Sequence, residues 1–227
     1  MMDLKEEAAR TAVGFIKDNT MVGLGAGSTI AHLVKLLLPK IAAGLPIQFV
    51  TSSYHIHQLL IQHALPVLPV SGVEKIDVYF DGCDQVDMQL NALKSGGGIH
   101  TMEKLLACMS DQFIIIGDES KLVERFDQKY PVVLEVLPQA ACYVPAYLQK
   151  LFPSSRNEFR VSEKKDGYVI TENGNYLLDL FLSEWPDLLT LNGTLQNITG
   201  VLETSLFYRL ANKAIISGVN GVKILEQ

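Results

Sequence analysis

The first 118 residues alternate short apolar runs with segments of helical periodicity, and that alternation leaves few folds open. Residues 21–25, 47–50, 67–69, 78–80 and 113–116 are apolar runs of strand length. Between them, Leu4, Ala8, Ala12, Phe15 and Ile16 recur at helical spacing over residues 4–17. Ile30, Leu33, Val34, Leu37 and Leu38 do so over residues 29–38, and residues 56–61 form a further apolar-periodic segment. Strands that alternate with helices predict an α/β fold with a parallel sheet covered on both faces. Ligands bind such sheets beyond the carboxyl ends of the strands, so the residues just after each strand are the ones to read for chemistry.

The texture changes after residues 129–131. Residues 132–136 read as a strand and 140–151 as a helix in spite of Pro145. Residues 159–161, 168–171 and 176–180 read as strands joined by the turn-rich segments 164–167 and 172–175, where Asn173-Gly174 is a hairpin signal. This stretch is a small α+β unit. Residues 213–216 and 222–225 then form a hairpin that returns to the first sheet.

Composition narrows the classes of function. With 19 Lys+Arg against 25 Asp+Glu the chain carries −6, which argues against nucleic acid or an anionic membrane as a partner. An anionic substrate must then be held locally, by a few lysines or by backbone N–H groups. Lys35 and Lys40 interrupt the longest apolar stretch, and the first seven residues lack the layout of a signal peptide, so the expectation is a soluble, cytoplasmic protein. Cys83, Cys108 and Cys142 form no CxxC pair; they predict neither a disulfide nor a zinc site and read as small buried hydrophobes.

Three segments carry chemistry. Gly23-Leu24-Gly25-Ala26-Gly27-Ser28-Thr29 follows a strand and opens a helix, so backbone N–H groups, the helix N-terminus and two hydroxyls are available to a phosphate. A dinucleotide site fits less well: Ser28 stands where a third glycine belongs, and Thr51 rather than an acid follows the next strand. Read alone, the segment is equally a tight turn with Ser28 as N-cap. Asp81-Gly82-Cys83-Asp84 puts two carboxylates at a strand end, suited to sugar hydroxyls, proton relay or a small metal set, or else to an Asx-turn. Lys94-Ser95-Gly96-Gly97-Gly98 offers a charge and free backbone donors to an oxyanion, and Glu103, on the next helix, is placed as a base toward the same cavity. The alternative is a flexible loop with Thr101 as a cap and Glu103 complementing the helix dipole. Lys121 follows the strand at 113–116 on the same edge, and Thr51-Ser52-Ser53 sits there as hydroxyl lining or cap. The histidines show no metal spacing; all five read as non-catalytic, with His100 lying near Glu103.

Taken in order, these segments, with Leu134-Glu135-Val136, Thr171-Glu172-Asn173-Gly174-Asn175, Gly200-Val201-Leu202-Glu203 and Asn220-Gly221-Val222-Lys223, resemble ribose-5-phosphate isomerase of type A along nearly the whole chain. The resemblance implies a doubly wound, Rossmann-like α/β domain (residues 1–130 with 207–227) carrying a smaller ferredoxin-like α+β domain (131–206). It implies interconversion of ribose 5-phosphate and ribulose 5-phosphate through an enediolate, with no metal and no cofactor, in a homodimer or homotetramer. Glu103 would carry the proton between C1 and C2, and Asp81, Asp84 and Lys94 would assist ring opening and proton movement. Ser28 and Thr29, beside Ala26 and Gly27, would hold the phosphate with Lys121 and Lys5. Gly82, Cys83 and Ser95 would line the sugar, and the Gly96 and Gly97 backbone, with Lys94, would bind it and stabilise the oxyanion.

Some positions depart from that family's pattern. Ala26 stands in place of a threonine, Gln85 in place of an acid, Cys83 in place of an alanine, and Ser95 and Ser205 in place of glycines. A serine at 95 is strained if the backbone there has positive φ. These departures keep open a non-catalytic or altered-specificity sugar-phosphate-binding paralogue. An amino-sugar phosphate deaminase or an acyl-CoA transferase are the readings from neighbouring α/β enzymes.

Overall fold

The computed structural model describes residues 3–226. Helix α1 (Leu4–Val13) is capped by the Asp3 carboxylate and buries the small side chains Ala8, Ala9 and Ala12, which lets it lie close against the sheet. Strand β1 (Thr20–Leu24), helix α2 (Ser28–Ala42), strand β2 (Ile47–Thr51), helix α3 (Tyr54–Gln62) and strand β3 (Ile76–Asp81) follow. After β3 the chain makes the short strands β4 (Gln85–Asp87) and β5 (Ala92–Leu93), helix α4 (His100–Met109), the long strand β6 (Ser110–Asp118) and the short β7 (Leu122–Val123). Then come β8 (Val132–Val136), α5 (Tyr143–Leu151), β9 (Arg156–Phe159), β10 (Tyr176–Phe181), α6 (Leu188–Gln196), β11 (Val201–Thr204), β12 (Leu206–Phe207), β13 (Lys213–Gly218) and β14 (Gly221–Glu226).

The main sheet has the order β14-β13-β6-β3-β1-β2, parallel except for the terminal β13–β14 hairpin. From β1 the chain moves outward to β2, then jumps back to β3 on the other side of β1. Strands β1 and β3 therefore flank the topological switch point, where their outgoing loops diverge and leave a crevice. Alternation sorts the side chains between two cores. Val22, Leu24, Val78, Phe80, Ile114 and Ile116 face α1, α2 and α3, whereas Tyr79, Phe113 and Ile115 face α4 and Phe207. Asp81 continues the Tyr79 face of β3 by the same two-residue period.

Strands β8 to β11 form a second sheet of order β11-β8-β10-β9, antiparallel throughout, with α5 and α6 in its connections. That β-α-β-β-α-β succession is the ferredoxin-like pattern that the resemblance implies, built on the small α+β unit read from the residues. A third sheet, β12-β5-β4-β7, was not legible in advance because its strands are two or three residues long. It sets the position of Lys94, whose backbone N–H donates to Ser205 O at 3.0 Å. Ser205 is fully buried and its Oγ accepts from Val133 N at 2.8 Å, so the serine in place of glycine joins β8 to the segment before β12.

Other sequence expectations shift locally. Helix α1 ends at Val13, capped at Gly14, rather than near residue 17. Residues 67–69 make a single bridge, Val67 to Phe49, in place of a strand. Residues 168–171 likewise make only isolated bridges, because Thr171 turns its hydroxyl onto the buried Glu135 carboxylate at 2.7 Å. Cys108 and Cys142 are exposed, contrary to the expectation of burial: the first lies on the outer face of α4 and the second caps α5. Helix α6 escaped the sequence reading since it holds Gly193 and buries only Leu191 and Leu195. No helix of the described residues is long and apolar enough to cross a membrane.

Phe207 joins the sheets through its ring, 6.0 Å from Phe113 and within 5.8 Å of the Lys94 ammonium. Phe207→Ala is expected to cost about 3–5 kcal/mol, a loss that urea unfolding would register as a lower midpoint at unchanged slope.

Candidate active site

A cavity of about 370 Å³ opens at the switch point. One wall is the turn from β1 into α2. Gly27 has φ +97° and caps α2 without any side-chain hydrogen bond, and Ser28 is the first helical residue rather than the N-cap. The first N–H groups of α2 are thus left to an anion, in the partial positive charge of the helix end. Lys5 Nζ donates to Ser28 Oγ at 3.2 Å, and Lys121 lines the cavity beyond.

The floor is an ion cluster. Asp81 is fully buried and all its acceptor capacity is engaged: Oδ1 takes Ala26 N at 3.1 Å and Gly82 N at 2.7 Å, while Oδ2 takes the Tyr79 hydroxyl at 2.6 Å and Lys94 Nζ at 2.9 Å. Lys94 Nζ also donates to Gly82 O at 2.5 Å and stands 3.4 Å from Glu103 Oε1. This packing is possible because residue 25 is glycine: a Cβ there would lie 1.9 Å from the Asp81 carboxyl carbon. Asp84 faces the cavity and accepts from Gly96 N at 2.9 Å.

One ammonium cannot neutralise two buried carboxylates. Burial first, and the neighbouring Asp81 charge second, push Glu103 up to about 8 against the pull of Lys94. Lys94 itself is opposed by burial, but Asp81 and Glu103 outweigh it and raise its pKa, so it stays charged. Burial pushes the Cys83 thiol up to about 12 against Lys94, leaving a neutral side chain on the wall. A carboxyl poised near neutrality beside a fixed cation can take up and return a proton.

The sequence-predicted residues Lys5, Ala26, Gly27, Ser28, Thr29, Gly82, Cys83, Asp84, Lys94, Gly96, Gly97, Glu103 and Lys121 all line this one cavity. Asp81 and Ser95 do not. Asp81 lies beneath it, under Lys94. Ser95 turns its hydroxyl away to Pro131 O at 2.5 Å, and its φ is not positive, so the expected strain is absent. Gln85 is buried and its Oε1 accepts from Asp127 N at 2.8 Å, outside the cavity. Ser53 caps α3 through Ile56 N. His100 faces Glu203 O at 3.3 Å and burial lowers it to about 4, which keeps it neutral and away from the chemistry.

Sequence reading passed over four contributors. In the sequence Tyr79 belongs to an apolar run, and its place two residues before Asp81 on one strand is the signal for its role. Gly25 offers a free backbone in the sequence, whereas in the fold it admits the Asp81 carboxylate. Glu135 accepts from Thr101 Oγ1 at the start of α4 and from Asn173 and Asn175 in the 171–175 turn. Arg160 bonds the carbonyls of Ser95 and Gly96, a contact across the fold with no local signal.

Comparison with known proteins places the whole chain. The family model described as ribose 5-phosphate isomerase A (phosphoriboisomerase A) matches residues 48–221. The chain is 39% identical over 228 residues to ribose-5-phosphate isomerase A of Pyrococcus horikoshii, covering 99% of this chain and 98% of that one. It is similar to the solved structure of a D-ribose-5-phosphate isomerase in complex with phospho-erythronic acid, at 38% identity and a TM-score of 0.92 over 100% of both chains. The ribose 5-phosphate isomerase A structure from Methanocaldococcus jannaschii gives 32% identity and a TM-score of 0.91, over 99% of each chain.

Two outcomes are expected from the ion cluster alone. Gly25→Ala displaces Asp81 and so leaves Lys94 and its partners mispaired; removing one partner of a buried pair costs about 3–5 kcal/mol, readable in chemical denaturation. Glu103 holds its proton more tightly in the fold than when unfolded, so the native state loses stability as pH rises from about 4.5 through about 8. Glu103→Gln escapes that loss, and its melting temperature relative to wild type should therefore climb across this pH range in a thermal scan.

Proposed function

The chain belongs to the ribose 5-phosphate isomerase A family, whose members are aldose–ketose isomerases of the pentose phosphate pathway, and we propose that it moves one proton between C1 and C2 of ribose 5-phosphate on Glu103. The observation that carries this reading is the position of Glu103: buried, held near pKa 8, and 3.4 Å from an ammonium fixed by Asp81.

In the proposed mechanism the phosphate lies on the uncapped N-terminus of α2, met by Ser28, Thr29, Lys5 and Lys121. The hydroxyl that Ala26 lacks is offset by the helix end and the two lysines. Asp84, on the cavity wall, takes the proton of the anomeric hydroxyl as the bond from C1 to the ring oxygen breaks, and passes it to that oxygen, which becomes the free hydroxyl of the open chain. Glu103 then removes the proton from C2 of the open-chain aldose, and the electron pair of that C–H bond becomes the C1–C2 double bond of an enediolate. Negative charge gathers on the former carbonyl oxygen, where Lys94 and the N–H groups of Gly96 and Gly97 oppose it. Because the carboxyl of Glu103 has a pKa near the pH of the medium, it retains the proton long enough to return it to C1, while Asp84 moves the O2 hydroxyl proton to O1 and C2 becomes the carbonyl of the ketose. Asp81 does not touch substrate in this reading. Its carboxylate keeps Lys94 charged and aimed, which makes it a positioning residue.

The positive charge for this chemistry comes from Lys94, so the reaction is proposed to run with neither metal nor cofactor. A homodimer or homotetramer and a cytoplasmic setting belong to the same reading. So does the division into residues 1–130 with 207–227 and residues 131–206, which is supported by a second sheet whose strands all fall between Val132 and Thr204. A non-catalytic paralogue is the weaker reading, since Ser95 is unstrained and Gly96 N still reaches Asp84.

Ketose formation from ribose 5-phosphate in the presence of EDTA tests the reaction directly. Glu103→Gln should lower kcat about 10²–10⁴-fold, as removal of a general base does. Wild-type kcat/KM should rise with pH by roughly tenfold per unit up to the Glu103 pKa and then level off. Lys121→Ala should raise KM about tenfold or more with kcat nearly unchanged, the pattern of a contact made equally in ground and transition states. No ketose from wild type, or full activity in Glu103→Gln, would refute the assignment.

A further inference from the structure

The glycine-rich loop facing the cavity is braced from the second sheet. Arg160, one residue past the end of β9, donates from Nη2 to Ser95 O at 2.9 Å and from Nη1 to Gly96 O at 2.9 Å. The adjoining edge, which shares Nη2, is held by Asp179 of β10, with Nε 3.1 Å from Oδ2 and Nη2 2.6 Å from Oδ1. The Arg160 backbone is itself tied to β10, N–H to Leu177 O at 2.8 Å. The guanidinium is thus a rigid link between a strand pair and two successive loop carbonyls, and it does not line the cavity.

The consequence follows from the planarity of the peptide bond. In a trans peptide the carbonyl of one residue and the N–H of the next point in opposite directions. Holding Ser95 C=O toward Arg160 therefore turns Gly96 N–H the other way, where it meets Asp84 Oδ2 at 2.9 Å. Holding Gly96 C=O toward Arg160 likewise turns away the N–H of Gly97, a residue that lies on the cavity wall. The glycines supply the freedom to rotate these planes, and something outside the loop must remove it again.

We propose that Arg160 is a positioning residue for the isomerisation: by fixing the 95–96 and 96–97 peptide planes it aims one N–H at Asp84 and the next at the oxygen that becomes negative in the enediolate. This rests on the assignment of Glu103 and Lys94 given above. The planar fork of arginine is needed, because it spans a carboxylate on one edge and two carbonyls on the other; a lysine ammonium is a point charge that cannot hold all three.

Steady-state kinetics on Arg160→Ala and Arg160→Lys, together with hydrogen exchange at the Gly96 amide, test the proposal. Arg160→Ala should lower kcat about 100-fold, the scale of a catalytic contact misplaced by an ångström. KM for ribose 5-phosphate and inhibition by inorganic phosphate should stay within about threefold, since the phosphate is held on α2, across the cavity. Arg160→Lys should recover thermal stability but little of kcat, which also guards against a simple loss of folding. Exchange at Gly96 should accelerate about tenfold or more as its bond to Asp84 is released. The proposal is overturned by kcat near wild type without Arg160, by full rescue with lysine, by phosphate inhibition weakening in step with kcat, or by unchanged exchange at Gly96. If wild type itself forms no ketose, the proposed reaction fails, and the exchange measurement still decides whether Arg160 fixes the loop.

Discussion

Asp81 is a carboxylate with no access to water, and most of the site is arranged around the cost of burying it. A buried charge is tolerated only when hydrogen bonds and a counter-charge replace its hydration. Here two backbone N–H groups, a tyrosine hydroxyl and the Lys94 ammonium fill that role. Each donor in turn fixes a part of the fold. Ala26 N comes from the turn after β1, Gly82 N from the turn after β3, Tyr79 from the same face of β3, and Lys94 from the loop after β5. The arrangement joins three separate chain segments at one atom pair, and it closes only because Gly25 leaves the space that a Cβ would occupy.

The pairing is weak evidence for stability, since a buried ion pair seldom outperforms apolar packing of the same volume. Its value lies in what it does to Glu103. With Asp81 and Lys94 already paired, a second buried carboxylate has no full counter-charge left, and its proton affinity rises into the range where both forms are populated. Burial gives the larger part of that shift and Asp81 the next, while Lys94 limits it. One cluster therefore supplies both a permanent cation and a carboxyl that exchanges protons. At the opposite end of the cavity the fold uses no buried charge at all: what lies there is an uncapped helix terminus with partly solvated lysines, Lys5 and Lys121.

Much of this could be read from the chain. The alternation of apolar runs predicted the parallel sheet, and the expectation that chemistry follows strand ends located Gly27, Asp84 and Lys121 on one cavity. The short spacing between Lys94 and Glu103 pointed to a common site because loop and helix are contiguous. Where reading failed, the deciding contact was distant or used a residue with two plausible roles. Ser95 looked like a strained lining residue, yet its hydroxyl bonds a carbonyl of the segment entering β8. Asp81 looked like a second acid facing substrate, yet the strand alternation that puts it beside Tyr79 also puts it beneath the cavity. Residues 168–171 have the composition of a strand, but satisfying the buried Glu135 carboxylate took Thr171 and its turn out of the ladder.

The sequence by itself determined the local elements, the glycine-marked turns and the set of groups able to handle protons and a phosphate, because periodicity, capping and side-chain chemistry act over a few residues. Tertiary structure alone decided which of those groups meet. The strand order put β1 beside β3, and the resulting crevice brought residues 25–29, 81–84 and 94–103 together. The second sheet then sent Arg160 back onto the loop at 95–96. Proton affinities were decided at the same level: a glutamate's pKa depends on the water it loses and the charges it faces, and neither exists until the chain has closed around it.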